Sequence, residues 1–107
     1  MKYKTLGKTG EKVSILGFGA MRLPHFEREE QINKEESDKV ISYGIENGIN
    51  LIDTAYNYHA AKMDGKGKCE EYIGNFLNEY SYRDEIFLSA KLPSWKIKKY
   101  EDMETIF

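Results

Sequence analysis

The chain has 107 residues, 40% hydrophobic and 32% charged, with a formal net charge of -2. That is the composition of one globular domain, neither disordered nor membrane-like, and its near-neutral balance gives no basic footprint for nucleic acid. No apolar run approaches the ~20 residues that span a bilayer, no apolar stretch follows Met1-Lys2-Tyr3-Lys4 as a secretory signal would require, and the single cysteine, Cys69, excludes an internal disulfide. A cytoplasmic setting is expected.

In chain order, residues 2–15 predict a β-hairpin. Tyr3 and Leu6 lie on one arm, Val13 and Ile15 on the other, and Gly7-Lys8-Thr9-Gly10 turns between them. Ile15–Ala20 predicts a short strand whose two glycines suit close approach to the backbone. Pro24 discourages helix, and residues 25–32 read as a surface loop. Asn33 has N-cap chemistry, with Glu36 at capping-box spacing. Val40, Ile41, Gly44 and Ile45 make one apolar helical face, and Gly48 fits the stop.

Asn50-Leu51-Ile52 predicts a buried strand ending at Asp53, followed by a loop that carries Tyr58. Residues 62–68 are rich in glycine and lysine and are expected to be mobile. A second helix presents Tyr72, Ile73, Phe76, Leu77 and Tyr80 on one face. Glu85–Lys91 alternates as a strand, with Phe87, Ser89 and Lys91 on one side, and Pro93 ends it. Residues 100–107 read as the opening of a third helix.

Repeated βα units predict a parallel sheet with helices outside it. A doubly wound dinucleotide fold would want G-x-G-x-x-G leading straight into a helix. Here Gly17-Phe18-Gly19 is followed by Ala20-Met21-Arg22, with no third glycine. The expected fold is therefore α/β, part of a (β/α)8 TIM barrel: a hairpin plus about three βα units, with residues 1–107 as the N-terminal fragment of one barrel domain. Three strands cannot close a barrel, so the fragment is expected to self-associate through an exposed strand edge or to pair with other chains.

Barrel chemistry sits at the carboxyl ends of the strands, where Asp53 and Lys91 fall. An acid, a phenol and an amine there suit carbonyl reduction. A free phenol has a pKa of about 10, and a nearby ammonium lowers it, which makes a better proton donor for a nascent alkoxide. In this scheme Tyr58 is the acid/base, Lys91 its tuner and Asp53 the partner of Lys91. The competing interpretation is an ordinary strand-end acid, an ordinary aromatic and a solvated lysine. His59 and Trp95 are candidates for the substrate mouth, against plain exposure or loop packing.

Tyr3–Gly10, Gly17–Pro24, Asp53–Tyr58 and Glu85–Pro93 together resemble the aldo-keto reductases, over essentially the whole chain. The resemblance implies a barrel that uses NADPH, or less often NADH, to reduce a small-molecule aldehyde or ketone. It assigns Asp53, Tyr58 and Lys91 to the catalytic tetrad, and leaves the tetrad histidine beyond residue 107. It assigns Gly19, Ala20, Met21 and Asp53 to the cofactor site. Leu92-Pro93-Ser94-Trp95 resembles the bacterial and archaeal branch that carries a C-terminal 4Fe-4S segment, outside this chain. The isolated chain is expected to be inactive. Alternatives are a non-catalytic barrel fragment, or a cofactor-sensing subunit acting through assembly with other chains.

Overall fold

The computed structural model describes residues 1–106, and Phe107 lies outside them. The hairpin pairs β1 (Tyr3–Thr5) antiparallel with β2 (Lys12–Ser14). It is fixed to the turn that precedes the central strand: Ser14 N–H donates to Asn50 Oδ1 at 2.8 Å, and the Asn50 amide donates to the Lys12 carbonyl at 2.9 Å. Ile15 goes with the hairpin, because its N–H donates to Lys2. This is why the next strand, β3, is only Phe18–Gly19 rather than the predicted Ile15–Ala20.

Ala20–Arg22 is a 3-10 turn, and residues 25–32 close on themselves through a bridge between His25 and Ile32. Helix α1 spans Lys34–Glu46. Asn33 caps it by accepting from Glu36 N–H at 3.2 Å. The reciprocal half of the capping box is missing. Asn33 N–H donates to Pro24 instead, and Glu36 turns to Lys39. At the other end Gly48 has φ +97° and lies between two closing bonds, Gly48 N–H to Ile45 and Ile49 N–H to Gly44. That is a complete Schellman stop, and only glycine adopts the φ without strain.

β4 (Leu51–Asp53) follows, then α2 (Cys69–Glu79), β5 (Phe87–Ser89) and α3 (Glu101–Ile106). The parallel sheet runs β3-β4-β5, with Gly19 beside Asp53 and Asp53 beside Ser89. Ile52 turns towards the helices and is fully buried among Ile41, Ile73, Phe76 and Leu77. Its neighbours Leu51 and Asp53 point to the opposite face and are partly open. β3 and β5 are shorter than the sequence pattern suggests, while β4 keeps three residues, shifted by one. β5 pairs with β4 alone and ends at Ser89, two residues before Lys91. Val40, expected on the buried face of α1, is exposed, and the buried stripe runs through Ser37, Asp38 and Ile41.

The result is an open slab, 40 × 39 × 20 Å, that matches one segment of a barrel wall and is not closed. Among the described residues no helix is long and apolar enough to cross a membrane.

Candidate active site

Parallel register determines which side chains share the rim. Gly19, Asp53 and Ser89 end three adjacent strands at one level, at the end of the sheet opposite the hairpin's anchor on Asn50. Lys91 follows β5 by two residues, and its side chain reaches the end of β4. Lys91 Nζ donates to Asp53 Oδ2 at 2.5 Å and to the Thr54 carbonyl at 3.2 Å. The same ammonium lies 5.0 Å from the centroid of the Tyr58 ring. The structure thus brings Asp53, Tyr58 and Lys91 together at the carboxyl rim.

The ion pair is open to solvent, with Lys91 and Asp53 side chains 49% and 41% exposed. It is not the buried pair that would be costly to assemble, and at this exposure such a pair contributes about 0–1 kcal/mol to stability. Desolvation works against the Lys91 charge. The Asp53 carboxylate and the Tyr58 hydroxyl outweigh it and hold the Lys91 pKa above the ordinary lysine value.

The far end of the Tyr58 loop is tied to the segment that carries the phenol. Gly67 N–H donates to the Tyr56 carbonyl at 2.7 Å, Lys68 N–H to His59, and Cys69 N–H to Tyr58. Three successive amides entering α2 therefore grip the segment that carries the phenol. A Cβ on Gly67 would stand 1.8 Å from the Tyr58 carbonyl oxygen, so only glycine fits. Sequence reasoning missed this residue. The only signal was a glycine just before a helix, which is common to many loops.

The remaining predicted residues divide. Gly19 is open on its side-chain side and Met21 is exposed, so both present surface at the rim. Ala20 is fully buried and its carbonyl accepts from the Cys69 thiol, so its side chain is unavailable to any ligand. His59 borders a cavity of about 150 Å³ with Tyr58, Met21, Arg22 and Asn57. It is buried, however, and both ring nitrogens are engaged by backbone groups of Leu23 and Glu29. It therefore offers a ligand no free polar atom. Trp95 stands half-exposed on the 3-10 turn Ser94–Lys96, while its neighbours Leu92 and Pro93 line a second cavity, about 130 Å³, beside Tyr56 and Lys91. The Cys69 thiol is buried, and desolvation raises its pKa, which makes it unreactive.

A nicotinamide cofactor would find one edge of a site here. The open face at Gly19, the exposed Met21 and the Asp53 carboxylate are compatible with a flat polar ring system laid across the strand ends. Among the described residues no group of three or more His, Cys, Asp or Glu side chains is placed to hold a metal ion.

The sequence model of the aldo/keto reductase family matches residues 15–106. An aldo-keto reductase from Gibberella moniliformis is 35% identical over 80 residues, which is 75% of this chain and 22% of that protein. A protein from Arabidopsis thaliana named for a voltage-gated potassium channel beta subunit is 32% identical over 93 residues, 86% of this chain and 25% of its own length. A crystal structure from Pseudomonas aeruginosa, described as an aldo-keto reductase, superposes with a TM-score of 0.64 at 29% identity, covering 84% of this chain and 30% of that one. The chain thus spans between a fifth and a third of the length of these relatives.

Proposed function

The chain belongs to the aldo/keto reductase family, and from that premise we propose that it supplies the proton-donating part of an NAD(P)H-dependent reductase of aldehydes or ketones. The observation that carries this is the Lys91 ammonium, shared between the Asp53 carboxylate at 2.5 Å and the Tyr58 ring at 5.0 Å. A nicotinamide cofactor, held in part by Gly19, Met21 and Asp53, would supply the hydride that reduces the carbonyl carbon. Tyr58 gives its hydroxyl proton to the carbonyl oxygen as negative charge develops there. Lys91 stabilises the phenolate left behind, and Asp53 keeps Lys91 charged and in place. Gly19, Met21 and Asp53 form the part of the cofactor edge that this chain provides. Any iron–sulfur segment would have to draw its cysteines from outside these residues, since Cys69 is the chain's single cysteine and is buried.

The chain alone is proposed to be inactive, because the relatives place most of their length elsewhere. Tyr58→Phe in the native-length protein tests the role. Carbonyl reduction is expected to fall by about 10²-fold or more, the usual share of a positioned general acid, while NADPH affinity is retained. Full activity in that variant removes Tyr58 from the scheme.

A second reading has its own support, the 32% identity to a protein named for a channel beta subunit. In it, the parent binds the cofactor and responds to its redox state within an assembly. NADPH fluorescence titration alongside turnover separates the two: tight binding with no reduction of any carbonyl compound favours the sensor.

A further inference from the structure

His59 has φ +58°, a left-handed backbone conformation that costs a residue with a Cβ about 1 kcal/mol or more. Such a residue persists only where its surroundings hold it. Here they hold it from three sides. Leu23 N–H donates to Nε2 at 3.2 Å, Nδ1 lies 2.7 Å from the Glu29 carbonyl, and the His59 carbonyl accepts from Lys68 N–H at 3.2 Å. The residue is 3% exposed.

These partners determine the tautomer. The Leu23 N–H can only donate, so Nε2 carries the lone pair. Nδ1 therefore carries the proton and donates it to Glu29. One imidazole thus joins the segment after β3 to the residue next to Tyr58. It has nothing left to offer a substrate, so it can act only through its neighbour.

We propose that His59 is a positioning residue, a clasp that fixes the Tyr58 loop against residues 20–32 and so sets the wall of the cavity beside the phenol. This rests on the assignment of Tyr58 as proton donor. Gly67 holds the loop from the α2 side, and His59 holds it from the β3 side. Between them Tyr58 keeps its place under the Lys91 ammonium, so a carbonyl group meets a preformed site.

The test has two arms. Long-range ¹H–¹⁵N NMR of the 107-residue chain is expected to find the His59 proton on Nδ1, the tautomer that free neutral imidazole disfavours in water. A proton on Nε2 overturns the clasp. In the native-length protein, His59→Gly relieves the backbone conformation and removes the ring. It should lower kcat by on the order of tenfold to a hundredfold, as small misplacements of catalytic groups do, at temperatures well below its melting transition, which itself falls because the Leu23 N–H and Glu29 carbonyl lose their partner. His59→Asn tolerates the same backbone and carries an amide that can reach Glu29, so it should recover part of the loss. Unchanged kcat in the glycine variant overturns the proposal. Should the native-length wild type reduce no carbonyl compound, the reductase assignment falls by itself. The tautomer, and loss of Leu23 amide protection in the glycine variant, then still decide whether the clasp exists.

Discussion

At the scale of single residues, the site depends on one cation doing two things. Lys91→Met keeps the length of the side chain and removes the charge. In the native-length protein kcat is expected to drop by roughly 10²-fold or more, the scale on which general acid catalysis contributes, with the loss steepest for poorly activated ketones. The fold should survive, since the Lys91–Asp53 pair is half-exposed and contributes little to stability. Equal losses of kcat and of melting temperature would instead make the pair structural. Gly67→Ala is the sharper geometric test. Its methyl would overlap the Tyr58 carbonyl, so the loop must move or α2 must start later. We expect a loss of about 1–3 kcal/mol in stability, measured by urea unfolding, together with reduced turnover; an unchanged midpoint would show that the loop yields freely. That Asp53, Tyr58 and Lys91 would meet was legible from Asp53 at the end of β4 and from the motifs that carry the resemblance; alternation alone would have kept Lys91 in β5, which ends at Ser89. Gly67 and the clasp made by His59 were not, because both depend on which backbone groups a loop meets after it folds.

At the scale of elements, α1 and α2 are joined by a polar cluster. Asp38 of α1 is buried and accepts from Tyr72 at 2.6 Å, Tyr80 at 3.0 Å and Lys34 at 2.5 Å, and Lys34 also reaches Glu79. Burial favours the neutral acid, but the three donors outweigh it and hold the Asp38 pKa below the ordinary value. Burial, together with the same acid, pushes the Tyr72 hydroxyl upward. Because the folded Asp38 pKa is depressed, its stabilising contribution is complete above the unfolded value of about 3.9 and disappears as pH falls through the lower folded value. Asp38→Asn should therefore flatten the acid limb of the stability curve below about pH 4 while lowering stability at pH 7 by about 2–3 kcal/mol. An acid limb identical to wild type would show that other carboxylates govern it. The helical spacing identified Tyr72, Phe76 and Tyr80 as one face. It could not separate Phe76, which fills the core, from the two tyrosines, whose hydroxyls cross to α1. Likewise the spacing Asn33–Glu36 announced a cap and gave its first bond correctly, but the second went to Pro24 because the incoming loop offered a closer acceptor.

At the scale of the whole molecule, the sheet is covered on one face and open on the other. Ile52 is sealed under the helices, while Leu51 and Phe87 on the opposite face are only partly buried; Leu88, level with Ile52 on the helix side, is 36% exposed because the helices cover β4 more fully than the β5 edge. β3 and β5 each pair with β4 alone, which leaves a parallel edge at either side. The radius of gyration, 14.9 Å, exceeds the ~13 Å of a compact chain of this length, as a thin slab must. Repeated βα units announced a parallel sheet, and the missing third glycine after Gly17-Phe18-Gly19 favoured a barrel segment over a doubly wound sheet. Neither signal announced how short β3 and β5 are. An unpaired parallel edge beside a partly bare apolar face favours pairing with another chain. Size-exclusion chromatography with light scattering on the 107-residue chain is therefore expected to give a mass above 12.5 kDa, rising with concentration and collapsing towards the monomer when a charge is placed on the open face, as in Phe87→Lys. A wild-type chain that stays monomeric at high concentration would mean that the slab is stable with its inner face in water. In that case the helix-side core of Ile41, Ile52, Ile73, Phe76 and Leu77 suffices alone, and closure of the barrel would serve the site rather than the fold.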